Sequence, residues 1–343
     1  MRLLLALAVL ASSGLLAACE RSERGPAPGA TSARPAETST SPPIHPAPAT
    51  PSLPPPSASS PGSPRLPRAV ACTRDTTFPS PWKLPEASAA AEVELLPGKR
   101  EILVVADSGR NGAAMAWSKA AGTRALALPL DAGASDDLEG MAWLADASVA
   151  RLYTLTSSGA VRVFVPDGKG GLRRSSDSYP IGPPPASCAD LHGVNCGKNW
   201  EGLCLRSAAA HARCAGYAAS KTDTSLACVV RDASGRIAID PQRPPIKLAL
   251  DRWSNRDGIL SDCTFGAPGG PAEDVLLVTT NVYGGSQTYI VDEATGATEA
   301  LDAQATASNE AIAVDHEGAF YGFLDDNQDL SDGVRYECRG WKP

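Results

Sequence analysis

The sequence predicts an all-β chain, folded as a β-propeller of five blades with room for a sixth, behind a disordered N-terminal tether. Three observations predict it. Apolar residues come in short runs separated by Gly, Asp and Pro, and no segment keeps a 3.6-residue period for three turns. Four segments repeat one pattern, an acid near the start of a strand followed by two further strands. Proline is concentrated at one end, with 14 of its 30 copies in residues 25–68, so that stretch stands outside any packed core. The 343 residues are 43% hydrophobic, enough for a core in the remainder. The net charge of −7 excludes a dedicated binder of nucleic acid or of anionic membrane.

Residues 1–18 read as a signal peptide. Met1-Arg2 is a basic start, residues 3–11 are apolar, and small residues lead to Leu16-Ala17-Ala18-Cys19. The apolar run is shorter than the roughly 20 residues that span a bilayer. Leu16-Ala17-Ala18-Cys19 resembles the lipobox of bacterial lipoproteins. The resemblance implies that Cys19 is diacylated, becomes the mature N-terminus and anchors the protein in the membrane. Glu20, where an Asp would favour inner-membrane retention, implies the outer membrane of a Gram-negative envelope. Residues 19–68 are then the lipidated Cys and a Pro/Ala/Ser-rich linker, which buries too little apolar surface to offset its chain entropy. The propeller domain is residues 69–343.

Within that domain the repeats align as follows. Leu138-Glu139-Gly140-Met141-Ala142-Trp143 precedes Leu152-Tyr153-Thr154-Leu155 and Val161-Arg162-Val163-Phe164-Val165. Trp200-Glu201-Gly202-Leu203-Cys204-Leu205 precedes Ala215-Gly216-Tyr217-Ala218. Ser261-Asp262-Cys263-Thr264-Phe265 precedes Val275-Leu276-Leu277-Val278, and Asn309-Glu310-Ala311-Ile312 precedes Phe320-Tyr321-Gly322-Phe323. Units of about 40–50 residues with three or four strands are propeller blades. An earlier unit, residues 92–117, has second and third strands but a degenerate first one. The stretches 183–199 and 233–258 have room for the strands of a sixth blade. The Ala-rich residues 86–91 and 207–212 are short helical temptations.

Lipidation of Cys19 leaves eight cysteines, an even number that reads as disulfides in an exported domain. Zinc is disfavoured, because no Cys-x-x-Cys occurs and His192, His211 and His316 lack ligand spacing. Cys188 and Cys196 bracket a short loop, which suits a local bridge. If residues 69–73 add a strand to the last blade beside residues 334–338, Cys72 and Cys338 become neighbours and a bridge locks the ring.

Asn199-Trp200-Glu201-Gly202-Leu203 and Asp137-Leu138-Glu139-Gly140-Met141 resemble the Phe-Glu-Gly-Leu-Ala phrase of the SdiA-regulated and phytase-related esterase-like propellers. Glu139-Gly140-Met141-Ala142-Trp143 is more distantly similar to the Glu-Gly-Pro-x-Trp of gluconolactonase-type propellers, whose Glu binds a channel metal; here the Pro is missing. These resemblances imply a propeller. Their family names imply esterase or phytase activity, for which the chain lacks dense Lys/Arg and Asp clusters.

The repeats make Glu139, Glu201, Asp262 and Glu310 equivalent positions near a central channel. Carboxylates so close raise one another's pKa unless a cation intervenes, so the four are candidate ligands for Ca²⁺ or another divalent ion. The competing expectation is that they brace neighbouring blades by accepting backbone N–H bonds. Asp325-Asp326-Asn327-Gln328-Asp329 has calcium-loop spacing, but Leu330 replaces the expected Gly and Tyr336 the expected Glu, so it reads as a solvated hairpin loop. His192 is a loop residue that could reach the channel mouth. There is no nucleophile elbow, His-Glu-x-x-His, P-loop or dinucleotide fingerprint. The expected function is therefore a binding or interaction module, with an unidentified protein or small molecule as ligand. The alternatives are a metal-assisted hydrolase of lactones or phosphoesters and a structural envelope protein.

Overall fold

The computed structural model describes residues 70–80, 82–107, 109–131, 137–145, 149–183, 193, 197–207, 214–250, 259–282, 285–303, 309–324 and 332–341. The signal peptide, Cys19 and the linker, Cys188, Cys196, His192 and residues 325–331 lie outside these. The described residues contain strands and no helix.

The strands form five antiparallel sheets, each a meander that begins with its inner strand. Blade 1 runs β2 (Ala87–Leu96), β3 (Lys99–Ala106), β4 (Ala113–Ser118), β5 (Gly122–Ala127). Blade 2 runs β6 (Leu138–Ala145), β7 (Ala150–Thr156), β8 (Ala160–Pro166), with β9 (Leu172–Arg174) and β10 (Tyr179–Pro180) both pairing with β8. Blade 3 runs β11 (Trp200–Leu205), β12 (Gly216–Ser220), β13 (Ser225–Arg231), with β14 (Ile237–Ile239) and β15 (Ile246–Lys247) both on β13. Blade 4 is β16 (Ile259–Phe265), β17 (Leu276–Val282), β18 (Gly285–Val291), β19 (Thr298–Ala300). Blade 5 has β20 (Asn309–Val314), β21 (Ala319–Leu324) and β22 (Gly333–Arg339), and its outer strand is β1 (Ala71–Arg74) from the other end of the domain. Within the 233–258 stretch, β14 and β15 thus belong to blade 3, and the described strands form five blades. The first blade has a complete inner strand, β2, where the sequence suggested a degenerate one.

The apolar runs are continuous because every blade is sandwiched between two others. In β3, Ile102 and Val104 point to the seam with blade 5, while Leu103 and Val105 point to the seam with blade 2. Successive side chains alternate between faces, and here both faces are core. Five hydrophobic clusters result, one for each seam of a closed ring. The seam between blades 5 and 1 is filled by a short segment after β1. Phe78 meets Trp117 edge-on at 4.9 Å, and Trp82 meets Phe323 at 4.8 Å.

The ring is closed twice over. β1 pairs antiparallel with β22 in a register that sets Cys72 opposite Cys338, and the two cysteines are bonded. Cys204–Cys263 ties the inner strands of blades 3 and 4, and Cys214–Cys228 lies within blade 3.

Candidate functional site

All five inner strands carry a β-bulge at the same level. The pairing of inner with second strand skips one residue at Ser88, Glu139, Glu201, Ser261 and Glu310. A bulge re-aims the extra side chain and increases local twist. Here it lies one or two residues into the strand, at the end of the channel where the inner strand begins. Antiparallel pairing brings the turns after the second strands to that same end: Leu138 faces Thr156, Trp200 faces Ser220 and Ala87 faces Ala106. Asp107, Ser157 and Lys221 therefore join the mouth of the channel.

The carboxylates gather unevenly. Asp107, Asp137 and Glu139 offer oxygens that all lie within 4.8 Å of one another. Ser88 Oγ donates to Glu139 Oε2 at 2.6 Å across the seam between blades 1 and 2, and Ser157 Oγ donates to Asp137. Glu201 is next around the ring. A Cβ on Gly140 would lie 2.5 Å from Leu203 N, so β6 and β11 run in direct backbone contact beside the two glutamates. Lys221 Nζ donates to Glu201 Oε2 at 3.1 Å, while the buried Glu201 Oε1 has no partner among the described residues. Asn281 Nδ2 donates to Glu310 Oε1 on the far side.

Burial raises the Glu139 carboxyl well above the usual range, and the charges of Glu201, Asp107 and Asp137 push the same way. Burial also carries Glu201 up to about 8, with Lys221 opposing and Glu310 and Asp107 adding to the rise. Burial disfavours the Lys221 ammonium, but Glu201, Glu310 and Glu139 outweigh it and hold its pKa above normal. Among the described residues, one ammonium, that of Lys221, thus serves five carboxyl groups at the mouth.

Asp262 does not belong to this set. It follows the bulge by one residue, and Ser261 occupies the position equivalent to Glu139 and Glu201. Its side chain points into the seam with blade 5. Oδ2 accepts the Ile312 N–H at 2.9 Å, and Oδ1 accepts the Cys263 N–H at 2.7 Å. The corresponding residues elsewhere are Gly140, Gly202, Ala89 and Ala311. At Gly202 a Cβ would lie 2.6 Å from Cys263 N. The slot therefore holds a small residue, glycine in blades 2 and 3 and alanine in blades 1 and 5, except in blade 4, where an aspartate bonds across the seam.

Sequence reasoning brought out Glu139, Glu201 and Glu310 but missed Ser88, Asp107 and Lys221, and it left Asp137 out of the site. Asp107 and Lys221 each stand one residue past a second strand, a place that only pairing register reveals. Ser88 was hidden because the bulge position of its strand carries a serine in place of an acid. Two left-handed residues also flank the mouth, Glu86 (φ 50°) before β2 and Asn199 (φ 47°) before β11, and the buried Asn199 Oδ1 has no partner among the described residues. Non-glycine residues are held in this region at a cost in strain, and such positions recur at ligand sites.

No family model matches the chain. No curated protein matches it either. Solved structures align with the chain over much of its length. A streptogramin B lyase structure aligns at TM-score 0.41 and 9% identity, over 79% of this chain and 98% of that one. A structure of the Dos1 propeller aligns at 0.38 and 14% identity, over 77% and 64%. Virginiamycin B lyase from Staphylococcus aureus aligns at 0.34 and 9%, over 74% and 81%. Likeness at this level carries nothing about chemistry, and the propeller assignment stands on the strand pairing itself.

Proposed function

We propose that the protein is a lipid-anchored envelope binding module whose propeller holds a divalent cation at the carboxylate mouth and presents it to a ligand. The anchor rests on Cys19 and the lipobox-like residues before it, and Glu20 supports the outer membrane. The cation rests on one observation: three carboxylates within 4.8 Å, with the buried, unpartnered Glu201 Oε1 on the adjoining strand. Hard oxygen donors of this kind suit Ca²⁺, or Mg²⁺ and Mn²⁺ as alternatives. Asp107, Asp137 and Glu139 are the ligands, and Glu201 stands on the adjoining strand, close enough for its charge to be felt by Glu139. A cation there offsets the burial penalty, and the added repulsion, that now raise Glu139 and Glu201.

The test is thermal unfolding of the full-length protein in EDTA and in Ca²⁺. An ion that binds only the assembled site raises the melting temperature, increasingly with concentration. Glu139→Gln should remove that rise. Glu201→Gln should raise the EDTA melting temperature slightly, since it relieves repulsion, and should blunt the Ca²⁺ response. Identical unfolding with and without Ca²⁺, Mg²⁺ and Mn²⁺ would defeat the cation reading. Metal-dependent cleavage of a simple lactone or phosphoester by the loaded protein would favour the hydrolase alternative.

A further inference from the structure

A second site stands apart from the channel. A cleft of about 350 Å³ opens on the outer side of the seam between blades 2 and 3. Its walls are residues 175–178, ahead of β10, and the turn 232–236 between β13 and β14. That volume falls within the range of small-molecule pockets, roughly 300–1,000 Å³.

Two guanidinium groups line it, and the turn places both. Arg236 Cζ lies 3.8 Å above the centroid of the Tyr179 ring. Contact through the ring face leaves the N–H edges of the guanidinium directed away from the ring. On the other flank, Arg151 packs against Gly235. A Cβ at Gly235 would lie 2.8 Å from Arg151 Nη1, and φ there is +87°, so glycine is required twice over. Tyr153 Oη donates to the Gly235 carbonyl at 2.7 Å and fixes the turn from below.

Two acids stand nearby, Asp232 on the turn and the exposed Asp177 on the cleft wall. Asp232 Oδ1 accepts the Ser234 N–H, the Ser234 hydroxyl and the Arg236 N–H, which hold its carboxyl below the usual range. Asp177 pairs with Arg174 at 3.3 Å. Arg236 has no ion-pair partner among the described residues. Ser175 and Ser176 add exposed hydroxyls to the rim, while Val163 and Tyr179 give the wall an apolar part.

We propose that this cleft binds a small organic phosphate monoester, its phosphate held between Arg151 and Arg236 and its organic group against Tyr179 and Val163. Paired planar forks with hydroxyls suit a tetrahedral oxyanion. A bare phosphate fills only a fraction of the space, which leaves the apolar wall for the group it carries.

The experiment is calorimetric titration of the full-length protein, without divalent cations, using phenyl phosphate, inorganic phosphate and chloride at matched ionic strength. Phenyl phosphate should bind about tenfold or more tightly than inorganic phosphate. Arg236→Gln should weaken its binding about tenfold or more, as loss of a charge-assisted hydrogen bond does. Arg236 is exposed, so this variant should melt with the parent, and Arg151→Gln should repeat the loss. Heats no greater than those of chloride, or binding that survives Arg236→Gln, would overturn the site. Equal affinity for the two phosphates would overturn the organic group.

Discussion

Ser261 and Asp262 show how much depends on one residue of register. The acid is there in blade 4, as in blades 2, 3 and 5, but it falls after the bulge and so faces a neighbouring strand instead of the mouth. Its two oxygens each accept a backbone N–H. In Asp262→Asn the amide would set an NH₂ against one of those donors and leave it buried without a partner, which costs about 1–3 kcal/mol. Denaturant unfolding should show that loss, and the Ca²⁺ response should be unchanged. At the equivalent Gly202, Ala would press on Cys263 N, and overpacking of this kind costs about 1–3 kcal/mol. The mouth predicts a pH dependence of a definite sign. Glu201 titrates near 8 in the folded chain and near 4.5 when unfolded, so its protonated form favours folding. That contribution is complete below about 4.5 and is lost as pH rises through about 8. Without metal, the melting temperature should fall between pH 5 and 8. A bound cation replaces the proton, so Ca²⁺ should flatten the fall and should bind more tightly as pH rises.

At the level of strands, the second and third members of each blade were legible because their apolar runs are short and bounded by turns. β2 was not, because Ala87–Ala91 carries neither β-branched bulk nor an acid-Gly pair. Its alanines are small because β2 packs against β20 on one side and β6 on the other, where bulk would force the ring apart. The bulges were also invisible, since an unpaired residue leaves no mark on composition. That is why the acid of blade 4 aligned with the others in sequence while sitting one position away from them in space. The segment after β1 has no strand pattern at all, yet it supplies Phe78 and Trp82 to the seam between blades 5 and 1. Trp82 is 2% exposed and its Nε1 donates to the Pro79 carbonyl at 2.8 Å. Trp82→Ala should destabilise by about 3–5 kcal/mol, measured by denaturant unfolding.

Across the whole ring, closure was legible because both ends of the domain carry a cysteine within a strand-like run, and the pairing of β1 with β22 puts the two opposite each other. Cys72–Cys338 spans 266 residues, and in the chain-entropy model a loop of that length is worth about 5 kcal/mol. The double variant Cys72→Ser, Cys338→Ser should lose several kcal/mol of that, while a circular-dichroism spectrum of β type persists, since the β1–β22 hydrogen bonds remain.

The same bridge fixes how the domain answers to a pull. β1 is the point at which the chain enters the ring, so tension arriving from the preceding residues acts first on that outer strand. A strand held by hydrogen bonds alone could be peeled away, opening the seam that Phe78 and Trp82 fill. With Cys72 bonded to Cys338, the force passes two residues into β1 and crosses covalently to β22. The fold is then loaded through its own last strand, and the ring stays shut while the chain ahead of it is stretched.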